Sequence, residues 1–158
     1  KGLIQDKFQA VVEKKIKALG ASLEESVILP DDREKISARI KDYLKKDTDI
    51  IITTGGMSVD PDDVTKEGIQ DAGFEQVHYS AAVLPGAMFL LGYNKNVAIM
   101  GVPACGLYHK ITIFDLILPR LMAGEKPGKR SLAKLCHGGL CRNCKPCHFP
   151  DCPFGKSG

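Results

Sequence analysis

A pair of glycines between an apolar segment and a run of acidic residues is the first feature with the chemistry of a ligand site. Ile50–Ile52 shows no alternation of polar and apolar residues, which is typical of a strand buried on both faces of a parallel sheet. Ligands of such sheets bind at the loops after the carboxyl ends of the strands. Gly55 and Gly56 can adopt positive φ and bring backbone N–H groups close to an anion. A run of acidic residues that includes Asp63 follows the glycine pair.

A second group with metal-binding chemistry lies near the carboxyl terminus. Five of the six cysteines, separated by four, two, two and four residues, fall within 17 residues: Cys136, Cys141, Cys144, Cys147 and Cys152. In a reducing compartment this density favours metal ligands over disulfides. Four thiolates, or three with a histidine, would hold tetrahedral Zn²⁺. The spacing is also similar to that of an iron–sulfur ligand string, so both Zn²⁺ and an iron–sulfur cluster remain open.

Composition and charge limit the classes of function. The chain has 158 residues, 44% of them hydrophobic, which is enough for one core. The net charge is +3, but residues 124–158 hold seven Lys or Arg against two acids, so the rest of the chain has an excess of acids. This distribution argues against nucleic-acid binding. No apolar run approaches the roughly 18 residues of a membrane span, and no signal peptide is evident. We therefore expect a cytoplasmic protein without a membrane partner.

Hydrophobic periodicity predicts the elements that position these residues. Helices are expected at about residues 5–19, 31–44, 60–72 and 106–122, the second opened by Asp31 with Glu34 as a capping box. Strands are expected at residues 26–29, 50–52, 75–79, 88–93 and 97–100. This alternation predicts an α/β fold, a three-layer arrangement with a mainly parallel sheet and helices on both faces, plus a small Cys-rich appendage.

The glycine loop also carries a resemblance to a known family. The string Thr-Thr-Gly-Gly at 53–56, followed by Asp-Val-Thr at 63–65, resembles the MoaB/Mog-type molybdopterin-binding domain of molybdenum-cofactor biosynthesis, with MoeA and MogA as related types. The resemblance extends from Lys1 to Gly124, and the loop 101–106 is similar to the family's second glycine-proline loop. The ligand-binding residues that the resemblance implies are Thr54, Gly55, Gly56, Met57, Ser58, Gly101, Pro103, Ala104 and Gly106.

The same resemblance implies an activity. Molybdopterin is the expected ligand, and Asp63 is the implied catalytic residue and Mg²⁺ ligand. The expected reaction is adenylylation of molybdopterin or insertion of molybdate, with ATP or molybdate as the second substrate. Relatives assemble as dimers or trimers, so the resemblance also implies a homo-oligomer.

Three departures from the family pattern favour an alternative function. In the molybdenum-inserting branch, the segment similar to Pro85–Gly86 continues with a lysine, whereas this chain has Ala87. A cation that would face phosphate or molybdate is therefore missing. Ala104 and Cys105 stand where relatives often carry Gly and Asn or Ala, and the Cys-rich tail is an addition. The alternative is a non-catalytic carrier or sensor of molybdopterin, with a tail that responds to metal or redox state.

The chain is expected to consist of two parts. Residues 1–124 form the molybdopterin-binding domain, and residues 125–158 form a Cys-rich tail that is expected to bind metal. In the family a strand and a Thr-Gly-Asn/Asp-Glu-type turn precede the helix that begins near Lys1. We therefore expect a fragment of a longer protein, lacking that first strand.

Overall fold

A four-stranded sheet forms the centre of the fold. The computed structural model describes residues 7–57 and 63–156, without the side chains of Lys7 and Gln76. The strands are β1 (Ile50–Thr54), β2 (Glu75–Tyr79), β3 (Leu90–Asn94) and β4 (Val97–Val102), in the order β1-β4-β3-β2. The strand prediction for residues 75–79 agrees with β2, and the strands predicted near β1, β3 and β4 differ by a few residues at their ends.

The sheet is mixed within the described residues, so the expectation of a mainly parallel sheet is corrected. Only β1 and β4 pair in parallel, whereas β3 pairs antiparallel with both β4 and β2. The two-residue turn of Lys95 and Asn96 joins β3 to β4, with Asn94 paired to Val97. So short a connection can join only antiparallel strands, because a parallel pair needs a crossover of a dozen or more residues.

Helices cover both faces of the sheet. They are α1 (Lys7–Ala18), α2 (Arg33–Leu44), α3 (Thr65–Asp71), α4 (Ile113–Met122) and α5 (Lys129–Lys134), with a 3-10 turn at Ala104–Leu107. α1 ends at Ala18, and Gly20, the expected stop, follows with a φ of 82°. The start expected near residue 5 lies outside the described residues. None of the helices in the described part of the chain is long and apolar enough to cross a bilayer.

Two predicted elements in the first third of the chain are corrected. Residues 26–29 form no strand, since Val27 and Ile28 are 42% and 74% exposed and a strand needs a partner for its backbone and for one face. α2 is capped by Asp32 rather than Asp31, because the Asp32 carboxylate accepts hydrogen bonds from the N–H groups of Glu34 at 3.1 Å and Lys35 at 3.0 Å.

The helices predicted at 60–72 and 106–122 both begin later than expected. The start proposed at residues 60–61 lies outside the described residues, and α3 begins at Thr65 after two non-helical residues. The region 106–122 divides into the 3-10 turn and α4, because Thr112 and Asp115 form a capping box that starts a new helix. Pro119 lies inside α4, which ends one turn later, so the missing N–H affects only the last turn.

Alternate strand residues pack into two separate core clusters, which confirms the three-layer α/β arrangement. Leu91 and Met100 pack with α1 and α4 in one cluster. Leu90 and Ile99 pack with α2 and α3 in the other cluster. Since neighbouring strand residues point to opposite faces, both faces of the sheet are covered by helices.

The Cys-rich tail packs into the same core as the rest of the chain. Leu132 and Leu135, from α5 and its carboxyl end, are 5% and 6% exposed and lie in the cluster of α1 and α4. Phe154 is 4% exposed in the same cluster, and its ring meets Phe149 edge-on at 6.5 Å between centroids. The tail is therefore anchored by apolar side chains near both of its ends.

A cleft of about 1180 Å³ is lined by all of β1 and also by Ala98 of β4 and Tyr93 of β3. It is bordered by apolar residues of α1 and α2, including Val12, Ile16 and Ile40, and it reaches the glycine loop at residues 53–56. Among the described strands, β1 pairs only with β4. The expectation of a preceding strand stays a prediction, and the edge of β1 opposite β4 is where such a strand would find hydrogen-bonding groups.

Candidate functional site

The glycine loop after β1 folds tightly around Asp63. Gly55 and Gly56 have φ values of 80° and 62°, so both adopt the left-handed conformation that glycine tolerates best. A Cβ on Gly56 would overlap the Thr65 hydroxyl and lie 3.0 Å from Asp63 Oδ1. The Asp63 carboxylate also accepts a hydrogen bond from the N–H of Thr65 at 3.3 Å. The absence of a side chain at position 56 therefore lets a carboxylate and a hydroxyl approach the backbone of the loop.

The loop after β4 lies beside this one because β1 and β4 are neighbours. The parallel register aligns Thr53 with Gly101 and Thr54 with Val102, so both strands end at the same edge of the sheet. Met57 is 5% exposed, and its side chain occupies the space that a Cβ of Gly101 would need. Its side chain thus belongs to the core, and the contribution of Met57 to ligand binding is limited to its backbone.

The chain after β4 turns into a short 3-10 segment. Pro103 is buried, and its carbonyl accepts a hydrogen bond from Gly106 N–H at 2.9 Å, whereas Ala104 is exposed. Gly106 is buried, and a Cβ there would lie 2.8 Å from Val102 Cγ1. Of the predicted site residues of this loop, Pro103 and Gly106 therefore shape the turn, whereas Gly101 lies in β4 and Ala104 is exposed.

Cys105 joins this turn to the loop containing Pro85 and Gly86. Burial raises the pKa of the Cys105 thiol, and hydrogen bonds from the backbone N–H groups of Cys105, Gly106 and Gly86 only partly oppose this rise. A neutral, hydrogen-bonded thiol is the consequence. The carbonyl of Pro85 accepts a hydrogen bond from Ile113 N–H at 3.1 Å, which fixes the loop against the start of α4.

Two residues that sequence reasoning missed lie beside Asp63. Burial and, to a smaller extent, the negative charge of Asp63 raise the pKa of Tyr79, which ends β2 at the same edge of the sheet. The Lys66 ammonium lies 5.4 Å from the centre of the Tyr79 ring, a cation–π contact. The position of Lys66, three residues after Asp63, was the signal in the sequence that could have identified it. The structure thus places a cation beside Tyr79, at the edge of the sheet where the predicted ligand loops lie, despite Ala87.

The predicted ligand residues converge on one edge of the sheet wherever they are described. Thr54 and Gly55 are exposed at the end of β1, and Gly56 is half-buried against Asp63. Ser58 lies outside the described residues. Ala87 is half-buried, and its carbonyl accepts a hydrogen bond from Ala81 N–H at 2.9 Å, so it has a place in the turn after β2.

The tail cysteines do not form a metal-ligand set in this conformation. All six cysteines of the chain are free, with Cys136 and Cys144 exposed and the other three tail cysteines partly buried. Across residues 7–57 and 63–156, no three His, Cys, Asp or Glu side chains lie together as a metal site. A structural zinc needs four ligands within about 2.0–2.3 Å. Metal binding by the tail therefore stays a prediction, which would require these side chains to move together.

The arrangement of loops at one edge of the sheet agrees with the family comparison. The family model described as "Probable molybdopterin binding domain" matches residues 1–123. The chain belongs to this family. The predicted α/β molybdopterin-binding domain is thereby confirmed, and the glycine loop, Asp63 and the 101–106 turn all lie within the matched region.

Relatives place this domain inside longer proteins. The chain is similar to a molybdopterin molybdenumtransferase of Haemophilus influenzae, with 27% identity over 134 residues, which cover 82% of this chain and 32% of that protein. It is also similar to a CinA-like protein of Thermosipho melanesiensis, with 40% identity over 68 residues, which cover 43% of this chain and 17% of that protein. The molybdopterin-binding domain thus spans a third or less of the length of these relatives.

Proposed function

We propose that this chain binds molybdopterin through the backbone of the loops after β1 and β4, at the edge of the sheet where both strands end. The observation that supports this most directly is the packing of Asp63 and Thr65 against Gly56. This packing accompanies a short loop in which Gly55 and Gly56 adopt positive φ, and the N–H groups of such a loop are suited to binding an anion. The phosphate of the pterin is the part of the ligand that these groups would bind.

Asp63 is the residue that would hold Mg²⁺ in this site. Its carboxylate lies 3.0 Å from the place that a Gly56 Cβ would fill, so it stands beside the loop that would bind the phosphate. Mg²⁺ is commonly held by one or two carboxylates together with substrate phosphates, so a single protein carboxylate fits this role. When bound, the ion supplies positive charge between two anionic groups. Asp63 would hold the ion, and the N–H of Thr65 orients the Asp63 carboxylate.

Lys66 supplies a second positive charge at the same place. Its ammonium lies over the ring of Tyr79, whose pKa is raised by burial and by the charge of Asp63, and no ion pair within the described residues involves Lys66. A lysine with free hydrogen-bond donors binds phosphate as a point charge. Lys66 is thus in a position to replace the cation that is lost at Ala87.

The proposed reaction is Mg²⁺-dependent adenylylation of molybdopterin, with ATP, or insertion of molybdate. The similarity to a molybdenumtransferase favours the second of these reactions. The alternative is a carrier or sensor that binds molybdopterin without turnover, and the absence of a charged side chain at Ala87 favours it. In this alternative the Cys-rich tail would respond to metal or redox state. We further propose a cytoplasmic homo-oligomer, a dimer or trimer.

The experiment that separates these alternatives is anaerobic incubation of the protein with molybdopterin, Mg²⁺ and either ATP or molybdate, followed by size-exclusion chromatography and identification of the retained pterin. An adenylylated or molybdenum-loaded product supports an enzyme. Unchanged pterin retained in stoichiometric amount supports a carrier. Absence of retained pterin under all conditions would overturn the proposed function.

A further inference from the structure

The Cys-rich tail forms hydrogen bonds with the segment that leads into the Pro85–Gly86 loop. The N–H of Leu84 donates to the carbonyl of Gly139 at 2.7 Å, and the N–H of Cys141 donates to the carbonyl of Leu84 at 2.8 Å. Leu84 and Leu140 form an isolated parallel bridge. Both polar backbone groups of Leu84 are therefore bonded to the tail.

Close packing at Gly139 makes this pairing specific. A Cβ at Gly139 would overlap the carbonyl oxygen of Ala82 and lie 3.1 Å from that of Leu135. These neighbours are backbone atoms, which cannot move aside as a flexible side chain can. Any residue other than glycine at position 139 would therefore push the tail away from the segment at Ala82–Leu84.

The tail is held in place from its other end as well. The carbonyl of Gly138 accepts a hydrogen bond from Gly155 N–H at 2.9 Å. The neighbouring Phe154 is almost fully buried in the core cluster that includes residues of α1 and α4. The strand-like segment Gly139–Cys141 is thus fixed between the body of the domain and its own terminal turn.

The residues bonded to the tail continue directly into the candidate ligand site. Pro85 follows Leu84 and accepts the hydrogen bond from Ile113 N–H, and the backbone N–H of the next residue, Gly86, is close enough to the Cys105 thiol to lower its pKa, against the larger opposite effect of burial. Cys105 lies in the turn after β4. A displacement of Leu84 would therefore move the Pro85–Gly86 loop away from this turn.

We propose that Gly139–Cys141 is a positioning element of the ligand site, which holds the Pro85–Gly86 loop against the 103–106 turn through its backbone bonds to Leu84. The inference rests on the proposed function, since it assigns the tail a role in the site where molybdopterin would bind. It gives the glycine pair within the cysteine string a function that needs no metal.

The test compares Gly139→Ala with Gly124→Ala in the full chain. Gly124 has a φ of 79° and no atom within 4 Å of a Cβ, so its variant introduces backbone strain without moving a neighbour. We expect the Kd for molybdopterin to rise at least about tenfold in Gly139→Ala and to stay within about twofold of wild type in Gly124→Ala. Amide exchange at Gly86 and alkylation of Cys105, followed residue by residue by mass spectrometry, should accelerate only in Gly139→Ala.

A general loss of stability would give a different pattern, in which amides of β3 and β4 also exchange faster. Phe154→Leu serves as a second, milder variant if Gly139→Ala does not fold, because it loosens the tail from the opposite end. Unchanged exchange at Gly86, or wild-type affinity despite faster exchange, in the folded variant would overturn the inference. If the wild-type protein itself does not bind molybdopterin, the proposed function fails, whereas exchange at Gly86 still shows whether the tail positions the loop.

Discussion

The side chain of Met57 occupies the space beside the α-carbon of Gly101, where any larger residue would carry its Cβ. Met57 follows the glycine pair of the loop after β1, and Gly101 lies in β4 just before the second loop. The contact fixes the distance between the two loops that would bind the pterin. A buried thioether and a missing side chain therefore act together as a spacer at the site.

Gly101→Ala should destabilise the domain by overpacking this contact. The new Cβ would overlap Met57 Sδ and lie 2.9 Å from Leu90 Cβ, so the free energy of unfolding should fall by about 1–3 kcal/mol. Urea denaturation of Gly101→Ala, Met57→Ala and the double variant measures the coupling. We expect Gly101→Ala to cost less in the Met57→Ala background, and equal costs in both backgrounds would contradict the contact.

Asp63→Asn should remove the Mg²⁺ dependence of ligand binding. The amide keeps the shape of the side chain but no longer offers a charged ligand to the ion. In wild type, Mg²⁺ should lower the Kd for molybdopterin roughly tenfold, and in Asp63→Asn the Kd should be the same with and without Mg²⁺. Calorimetric titration checks this. Asp71→Asn, which removes an exposed carboxylate of α3 bonded to Arg33, should respond to Mg²⁺ as wild type does.

Lys66→Met should weaken binding only of ligands that carry phosphate. A charge-assisted hydrogen bond contributes about 1.5–3 kcal/mol, so the affinity for molybdopterin should fall about tenfold or more. The affinity for the dephosphorylated pterin should not change, and Lys66→Arg should keep most of the binding. Lys41→Met on the exposed surface of α2 is the control. An equal loss for both ligands would show that Lys66 acts on the structure rather than on the phosphate.

Alkaline pH should destabilise the domain through Tyr93. Burial raises the pKa of Tyr93 to about 12, above its ordinary value of 10.0, and its hydroxyl donates to the carbonyl of Pro127 at 2.9 Å. At a pH between these two pKa values, Tyr93 has lost its proton in the unfolded chain but retains it in the folded chain. The stabilisation is therefore complete below pH 10 and is lost as the pH rises toward 12. Denaturation of wild type and Tyr93→Phe at pH 9 and 11 measures this, and parallel declines in both proteins would exclude Tyr93 as the cause.

The sequence predicted that the central strands exist because their apolar patterns are strong, although the ends of β1, β3 and β4 differ by a few residues. Ile50–Ile52 lacks polar alternation, and β4 is similarly apolar, so both were expected to be buried strands. The segment at residues 26–29 is also largely apolar, but Val27 and Ile28 are exposed, and none of the described strands pairs with it. Strand propensity alone does not supply a partner, which is information that only the tertiary fold contains.

The candidate site was predictable only where a motif marked it. Gly55, Gly56 and Asp63 are part of a recognisable string, whereas Tyr79 reaches the site through the pairing of β2 with β3. The contribution of Leu84 depends on a bridge to Leu140, which is distant along the chain. Contacts of this kind follow from the path of the backbone and have no local pattern in the sequence.

The most direct test of the central claim compares Gly56→Ala with Gly55→Ala in anaerobic binding of molybdopterin. Both variants place a side chain at positive φ, which costs about 1–2 kcal/mol, but only the Cβ at position 56 would displace Thr65 and approach Asp63. We predict a Kd at least about tenfold weaker than wild type for Gly56→Ala and within about threefold of wild type for Gly55→Ala. Wild-type affinity in folded Gly56→Ala would contradict a pterin site at this loop.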